Sequence, residues 1–429
     1  MKEFELAYSA WVSSPDYKIH QKMYDYYVGD TDAIRNYKMV TERSNNKVRV
    51  NFIKKFIKEE VSYSVGNDIT YVSKSGNKQV IQDIDYYLEN WSEEHDANVM
   101  KNMLIYSVAY ELYYFNEVGE FCSRIIPATE GYGVTDENNN VVLFIRRFKK
   151  PLDDTIYLDF YKGDSVYHYT EDMVVAKSNG KGVHKTGFPI VPVTQCLLSS
   201  DGVFDTLYSD LKGLQDAYET NLSDISNEIS DFRNAYLTFI GTSICKDDVP
   251  LMKKLGILNA KDKDAKISFI TKDINDTFIQ NTLSTLEDKI YQIACHINHN
   301  EKMQSNTSSL ALRSRLISLE EKCKLNQKSM NNVIKSRLKF LFMYLKMVKN
   351  LDYDYKDIKI KFTPNIPQDD LMTAQIISQL GDLLSEETSL SLLSFIENPE
   401  IEKSKKSKEV ESLNAGLTLL GVGENEPTL

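Results

Sequence analysis

The fold of this chain is decided by residues 201–235, DGVFDTLYSDLKGLQDAYETNLSDISNEISDFRNA, and residues 277–297, TFIQNTLSTLEDKIYQIACHI. In both segments apolar residues recur every three or four positions, the period of one buried helix face. A polar loop follows, and then a third helix from about Leu310 to Val348, longer than a typical globular helix. Helices this long, each with one polar face, indicate assembly into something larger than a monomer. The apolar stripes are Leu207, Leu211, Leu214, Tyr218, Leu222, Ile225, Ile229 and Phe232, then Ile279, Leu283, Leu286, Ile290, Ile293 and Ile297.

The composition restricts the class of protein. The 429 residues, 42% of them hydrophobic, are enough for two or three domains. A net charge of −11 disfavours sequence-specific DNA binding, which needs a basic surface. It is compatible with a conduit through which DNA moves without being bound. Five scattered cysteines without CxxC spacing indicate a reducing compartment. With no secretion signal, and with its most apolar stretch, Leu338–Val348, too short to span a bilayer, we expect a soluble protein with no membrane partner.

Outside the long helices, the sequence pattern predicts an α+β fold. Residues 1–65 and 82–107 have helical spacing, and Ile69–Val72 is typical of a strand. From Glu111 to about Val193, alternation and frequent turn signals predict antiparallel strands. Those strands are expected at Leu112–Phe115, Val141–Ile145, Thr155–Phe160, Ser165–Tyr169 and Met173–Ala176.

An insert at residues 236–276 separates the first two long helices. It contains two predicted strands, Tyr236–Ile240 and Ile267–Ile270, around a short helix near Val249–Leu255. The segments predicted after the third helix are a strand at 355–363, a helical hairpin at 368–397 and a charged tail at 402–411.

Residues that could carry catalysis are not arranged in any known catalytic motif. Gly180–Thr186, GKGVHKT, partly matches the sequence motif of a phosphate-binding loop. Its Lys-Thr pair lacks the preceding glycine that the motif requires, so a hairpin turn is predicted. Cys295, His296 and His299 lack the further ligand that a tetrahedral metal site needs. We therefore expect no metal, no cofactor and no enzymatic activity.

Two polar features remain. The first long helix is strongly acidic, with Lys212 as its only base before Arg233. This is either an ordinary exposed face or, if copies surround a channel, a negative wall that a polyanion slides past. The loop Asn298–Ser308 is either a flexible connection or a mobile element touching a ligand. The candidate channel-lining acids are Asp216, Glu219, Asp224, Glu228 and Asp231.

Several segments, in their order and spacing, resemble the portal proteins of tailed bacteriophages, of the type found in long-tailed siphophages. In Ser107–Leu112, SVAYEL, Ser107 stands where that family usually has glycine. The other similar segments are Tyr26–Asp30 (YYVGD), Asn51–Ile69, Phe188–Val193 (FPIVPV), Ser223–Leu237 and Asn306–Leu312 (NTSSLAL).

The resemblance implies a portal fold with an α/β wing, a two-helix stem, a small α/β clip, a long kinked helix and a helical crown. The implied segments are the wing at 1–200, stem helix 1 at 201–235, the clip at 236–276, stem helix 2 at 277–297, the tunnel loop at 298–308, the long helix and return strand of the wing at 309–367, and the crown with the C-terminal tail at 368–429.

The resemblance implies that about 12 subunits form a ring at one capsid vertex. The implied function of this ring is to be the conduit for DNA packaging and ejection. The implied partners are non-specific double-stranded DNA, the terminase large subunit, a head-completion or adaptor protein, and the scaffolding and major capsid proteins. The protein would reside in the virion, and in the host cytoplasm during assembly. Two alternatives are a non-portal helical scaffold protein of the phage head and a DNA-processing enzyme.

The resemblance also assigns residues to two of these contacts. The tunnel-loop residues expected near DNA are Asn300, Lys302, Gln304, Ser305, Asn306 and Thr307. The clip residues expected to dock terminase or the adaptor are Lys246, Asp247, Asp248, Lys253 and Lys254.

Overall fold

The chain forms two compact units of helices and antiparallel sheets. The first contains Met1–Asn306 and Arg313–Asn365, and the second contains Thr307–Leu312 and Ile366–Leu429. We describe them from a computed structural model that covers residues 1–38, 44–176, 182–232, 236–241, 266–270, 276–298, 309–363, 370–393 and 402–408. The described strands all belong to the first unit.

Several of the early helices begin at side-chain caps that the sequence encodes. Ser14 Oγ accepts a hydrogen bond from the Tyr17 amide, and Asn51 Oδ1 accepts one from the Lys54 amide. Residues 44–51, by contrast, form neither helix nor strand. The helices up to residue 106 are α1 (Lys2–Ser13), α2 (Pro15–Val28), α3 (Asp32–Asn36), α4 (Phe52–Val65), α5 (Lys78–Leu88) and α6 (His95–Tyr106).

Two antiparallel sheets follow, one of three strands and one of five. A further strand, β1 (Thr70–Ser73), pairs with β12 (Ile358–Lys361), so that Tyr71 faces Ile360 across the chain. The strands of the three-stranded and five-stranded sheets are β2 (Val108–Phe115), β3 (Phe121–Pro127), β4 (Gly131–Thr135), β5 (Val141–Lys149), β6 (Ile156–Lys162), β7 (Ser165–Thr170), β8 (Val183–Lys185) and β9 (Val193–Leu197). They are arranged in the orders β3-β2-β9 and β4-β5-β6-β7-β8.

Most of the strand predictions are confirmed, and three details are wrong. Met173–Ala176 is not a strand, since only an isolated bridge joins Val175 to Tyr169. The predicted helix at 82–107 is two helices, α5 and α6. Strands β3, β4, β8 and β9 were missed, and β8 lies within the segment predicted as a hairpin turn, Gly180–Thr186. In β4 the signal is weak because it contains two glycines, of which Gly131 is needed: a Cβ there would lie 2.8 Å from the Ile126 side chain.

The long helices are observed within a few residues of their predicted positions. They are α7 (Leu207–Phe232), α8 (Asp276–Ala294) and α9 (Ser309–Lys349). Between α7 and α8, the predicted strands of the insert are confirmed as β10 (Tyr236–Ile240) and β11 (Lys266–Ile270), which pair antiparallel. The short helix expected near Val249–Leu255 lies outside the described residues.

The described residues of the first unit form two hydrophobic clusters. In the larger one, Leu338, Leu341 and Leu345 of α9 are fully buried together with residues of α4, α6 and β2. In the smaller one, Phe4 and Trp11 of α1 pack on the five-stranded sheet. The long helix is therefore a core element over its C-terminal half.

The described part of the second unit is helical. Helix α10 (Asp370–Leu380) leads through a 3₁₀ turn to α11 (Glu386–Ser391), and residues 402–408 are also helical. Ser385 caps α11 by accepting a hydrogen bond from the Thr388 amide. This agrees with the helices expected at 368–397.

Candidate channel helices and loop anchor

Helices α7 and α8 pack against each other, and aromatic side chains join their base to α4. Tyr218 of α7 and Tyr291 of α8 both meet the Phe52 ring edge-on, with ring centroids 5.3 and 5.9 Å apart respectively. Tyr291 also contacts Phe56, at 5.2 Å. The base of the helix pair is thereby fixed to the main core of the first unit.

Beyond Leu211, which is fully buried, the most buried face of α7 is polar, contrary to what the apolar stripe suggests. Gln215, Glu219 and Ser223, spaced four residues apart, are each at most 1% exposed. Ile229 of the apolar stripe, in contrast, is 57% exposed. The apolar stripe therefore leaves surface uncovered in the single chain.

The polar face is covered by residues 44–50, which form a hydrogen-bonded ladder along the helix. The amide of Val48 donates to Ser223 Oγ (3.0 Å) and that of Val50 donates to Glu219 Oε1 (2.9 Å). One step further along, the amide of Asn46 donates to Asn227 Oδ1 (2.5 Å). Two residues of extended chain advance about 6.6 Å and four residues of helix about 6.0 Å, so the pairing can repeat. We call this contact the polar ladder.

The five predicted channel acids consequently lie on different faces of α7. Glu219 is completely buried in the polar ladder, where it also accepts hydrogen bonds from Thr31 and Gln215. Asp216 lies beside it and accepts hydrogen bonds from Tyr26 Oη (2.8 Å) and Lys212 Nζ (2.7 Å).

Two of the remaining acids, Asp224 and Glu228, are turned away from the polar ladder. At about 100° per residue, Asp224 and Glu228 lie about 140° and 180° from Glu219. Asp224 is exposed and accepts a hydrogen bond from Tyr37 Oη (2.6 Å), and Glu228 is partly exposed. The backbone of Asp231 belongs to α7, and its side chain lies outside the described residues.

Burial has a specific electrostatic effect on Glu219. Desolvation raises the pKa of its carboxyl, and the hydrogen bonds from Thr31, Val50 and Gln215 only partly oppose this rise. The groups that contact Glu219 are neutral donors, not cations.

At the same, C-terminal end of α8, a buried charged cluster holds the point where the chain leaves the helix. His296 Nδ1 lies 2.7 Å from Glu59 Oε2, and its Nε2 lies 3.3 Å from Glu60 Oε1. The imidazole also stacks on Phe56, with centroids 4.3 Å apart. Cys295, just before it, has a positive φ of 63°, which turns the chain out of the helix.

Helix α9 completes this cluster. Lys322 Nζ lies 2.9 Å from Glu60 Oε1 and also donates to the Ala294 carbonyl at the end of α8 (3.3 Å). Asn326 Nδ2 donates to Glu60 Oε2 (2.8 Å). Burial alone would raise the pKa of the Glu60 carboxyl. The contacts with His296 and Lys322 together have a larger, opposite effect, so the pKa of Glu60 is below its usual range. We call His296, Glu59, Glu60, Lys322 and Asn326 the loop anchor.

The loop and insert residues predicted to act lie outside the described part of the chain. These are Asn300, Lys302, Gln304, Ser305, Asn306 and Thr307 of the loop, and Lys246, Asp247, Asp248, Lys253 and Lys254 of the insert. Their two ends are described. Residue 298 follows the loop anchor and donates from its amide Nδ2 to Glu287 Oε1 (3.0 Å), and β10 and β11 form the described part of the insert.

A second buried charged cluster was not predicted. It is centred on Glu111 in the SVAYEL segment, which is fully buried and lies 2.9 Å from Arg337 Nε of α9. His95 Nε2 (2.7 Å) and Tyr113 Oη (2.9 Å) contact the same carboxylate. Burial raises the pKa of Glu111, but the Arg337 guanidinium, His95 and the Tyr113 hydroxyl together outweigh this effect and lower it to about 2.

The conformation of Ser107 is one that favours the glycine usual at this position in the portal family. It has a φ of 64° at the end of α6, in the left-handed region that glycine adopts most easily. Its carbonyl accepts a hydrogen bond from the Leu198 amide (2.8 Å). The glycine usual at this position could therefore have indicated from the sequence that residue 107 has a positive φ.

In the described residues, no three His, Cys, Asp or Glu side chains are grouped so that they could hold a metal ion. No helix in that part of the chain has the length and apolar character needed to cross a membrane.

The chain was compared with known proteins. The neck of a native GTA particle computed with C12 symmetry is 10% identical, with a TM-score of 0.47 over 80% of this chain and 89% of the other. The neck of an empty GTA particle computed with C6 symmetry is also 10% identical, with a TM-score of 0.47 over 79% and 89%. No curated protein sequence matches this chain. The family model of phage portal proteins of the SPP1 Gp6-like type matches residues 14–413, so the chain belongs to that family.

Proposed function

We propose that this chain forms a ring of about 12 copies at one vertex of a phage capsid, through which double-stranded DNA is packaged and ejected. The observation that carries the proposal is the pair of helices α7 and α8. Their base is fixed by Phe52, while Ile229 and Ile293 remain 57% and 45% exposed in the single chain. Apolar residues left exposed on rigid helices favour burial against neighbouring copies.

In this ring, α7 and α8 would form the stem, and Asp224, Glu228 and Asp231 the negative wall of the channel. Glu219 is left out of that wall because it has no exposed surface. A wall of carboxylates repels phosphates, so DNA can move along it without being held.

The segment 298–308 would be the tunnel loop. Its residues Asn300, Lys302, Gln304, Ser305, Asn306 and Thr307 would make weak, sequence-independent contacts to DNA phosphates. The loop anchor supports this role, because it ties the start of the loop to both α4 and α9.

The insert between α7 and α8 would be the clip that docks the terminase large subunit and the head-completion or adaptor protein. Lys246, Asp247, Asp248, Lys253 and Lys254 are the residues proposed for that contact. The scaffolding and major capsid proteins would surround the ring during assembly.

Negative-stain microscopy and native mass spectrometry of the purified protein test the ring. We expect rings in the wild type and their loss in Ile229→Asp, because a carboxylate cannot be buried between stem helices without a partner. Val118→Asp, at a valine that is 80% exposed in the loop after β2, is the matched control and should leave rings intact. A chain that stays monomeric at micromolar concentration, even with its scaffolding protein, would contradict the proposal.

The loop is tested separately. Deletion of residues 300–305 should leave ring assembly intact and impair DNA packaging in a complementation assay. His296→Phe, which retains a ring to stack on Phe56 but loses both carboxylate contacts, should give the same defect in a weaker form. If the deletion abolishes rings, the loop is a structural element and its assignment to DNA contact is wrong.

A further inference from the structure

A half-open cavity of about 380 Å³ lies in the first unit, away from the loop anchor and the polar ladder. It lies between α2, the strand β4 and the residues that follow β9. Aromatic rings form much of its wall, and two of them, Trp11 and Tyr132, are stacked with centroids 5.8 Å apart. Cavities of this size commonly hold a small ligand or one long side chain.

His20 lines this cavity and has unused hydrogen-bonding capacity. The residue is only 7% exposed, and neither ring nitrogen has a hydrogen-bond partner of good geometry among the described residues. Burial lowers the pKa of His20, against the opposing effects of Asp16 and the Tyr106 backbone. A neutral imidazole offers one nitrogen lone pair as an acceptor. Buried polar groups normally have a hydrogen-bond partner, so the free imidazole nitrogen of His20 favours a ligand that carries a hydrogen-bond donor.

The charge around the cavity has one sign. Asp16 and Asp201 line it, whereas none of the described residues that line it is lysine or arginine. Gln195 adds a further acceptor oxygen. The faces of aromatic rings also attract cations, and the attraction is stronger where water is excluded. The carboxylates would repel a nucleic-acid phosphate.

We propose that this cavity binds the side chain of a lysine or arginine presented by a peptide segment of another protein. The cation would lie between the Asp16 and Asp201 carboxylates, with its stem against the aromatic wall and a donor directed at His20. This inference goes beyond the proposed DNA conduit and does not depend on it, because none of the residues involved belongs to the channel helices or the loop.

The experiment compares two peptides that differ only in charge, acetyl-Gly-Arg-Gly-amide and its citrulline analogue. Ligand-observed NMR titration of the full-length protein at low salt should give an affinity about tenfold higher for the arginyl peptide. That preference should shrink as salt is raised, because both aspartates are exposed. Equal binding of the two peptides, or binding of neither, would overturn the proposal.

Substitutions then locate the site. Asp16→Asn combined with Asp201→Asn should remove most of the preference for arginine, and both positions are exposed, so the fold should be retained. Glu117→Gln is the matched control, since it removes an exposed carboxylate that does not line the cavity. Unchanged thermal midpoints would show that the variants fold. A preference that survives the double substitution, or that Glu117→Gln abolishes, would place binding elsewhere and refute the assignment.

Discussion

Glu111 and Glu219 are both completely buried, yet their surroundings affect them in opposite ways. Glu111 lies against the Arg337 guanidinium, and its pKa falls to about 2. Glu219 is surrounded by neutral donors on the polar ladder, and burial raises its pKa. The first carboxylate is half of an ion pair that joins β2 to α9, and the second is a hydrogen-bond acceptor for a covering segment.

The difference teaches how the two regions tolerate charge. An ion pair in the core is strongly destabilised when one partner is removed, because the other is left charged and buried. A carboxylate held by amides can be replaced by a neutral acceptor with little loss. The regions should therefore respond differently to the same kinds of substitution and to pH.

The largest effect is expected from Arg337→Met. It should lower the free energy of unfolding by about 3–5 kcal/mol, because Glu111 and Asp96 would lose their cation. Urea denaturation at submicromolar concentration measures the change. Adding Glu111→Gln to Arg337→Met should recover part of the loss, as a double-mutant cycle would show. Purely additive losses would mean that Glu111 and Arg337 are not coupled.

The pH dependence should be the next largest effect, and its sign should differ between the two sites. The pKa of Glu111 is lowered from 4.5 to about 2, so its stabilisation is complete above pH 4.5 and is lost as the pH falls toward 2. That loss corresponds to about 3 kcal/mol. The pKa of Glu219 is raised, so its contribution is present at low pH and lost as the pH rises through the folded pKa.

Comparison of wild type with Glu219→Gln isolates the second contribution. The stability of the variant relative to wild type, taken from urea midpoints between pH 4 and 8, should increase with pH. A difference that is flat or that falls with pH would contradict the assignment of Glu219 as an unpaired buried acid.

Glu219→Ala should have an intermediate effect of about 1–3 kcal/mol, because the Val50 amide and the Thr31 hydroxyl would be left buried without an acceptor. Glu219→Gln retains that acceptor and should be close to wild type or more stable at neutral pH. If both substitutions destabilise equally, the charge of Glu219 matters in itself and the comparison with Glu111 fails.

The smallest effect is expected from Ser107→Gly. It should stabilise the protein by about 0.5–1 kcal/mol, since glycine relieves the left-handed strain at φ 64° by more than it adds in unfolded-state entropy. Asn139→Gly, at φ 61° in an exposed turn, is the control and should change little because asparagine tolerates that conformation. A destabilised Ser107→Gly would show that the serine hydroxyl has a role of its own.

Much of the fold could be predicted because its signals are local. The predicted strand Tyr236–Ile240 is observed with the same bounds, and the third helix, predicted from about Leu310 to Val348, runs from Ser309 to Lys349. Period and turn chemistry act within a few residues, so one segment is enough to read them. The missed strands β3 and β9 gain their pairing from β2, which their own sequences do not reveal.

The candidate site was predicted less completely, and α7 shows why. Its apolar stripe correctly indicated a helix but not which face would be most buried. Gln215, Glu219, Ser223 and Asn227 repeat every four residues and could have been read as a second stripe. Polar residues are usually exposed, so that reading requires knowledge of the segment 44–50 that covers them.

The sequence by itself determined the order of the long helices, the insert between them, and the resemblance to phage portal proteins that the family match over residues 14–413 confirms. Only the tertiary structure decided that Glu219 is inside, that Glu111 meets Arg337, and that β1 pairs with β12 near the end of the chain. The physical reason is the distance along the chain over which each effect acts. Helix period and turn chemistry depend on neighbours in the chain, whereas burial and ion pairing depend on residues that only folding brings together.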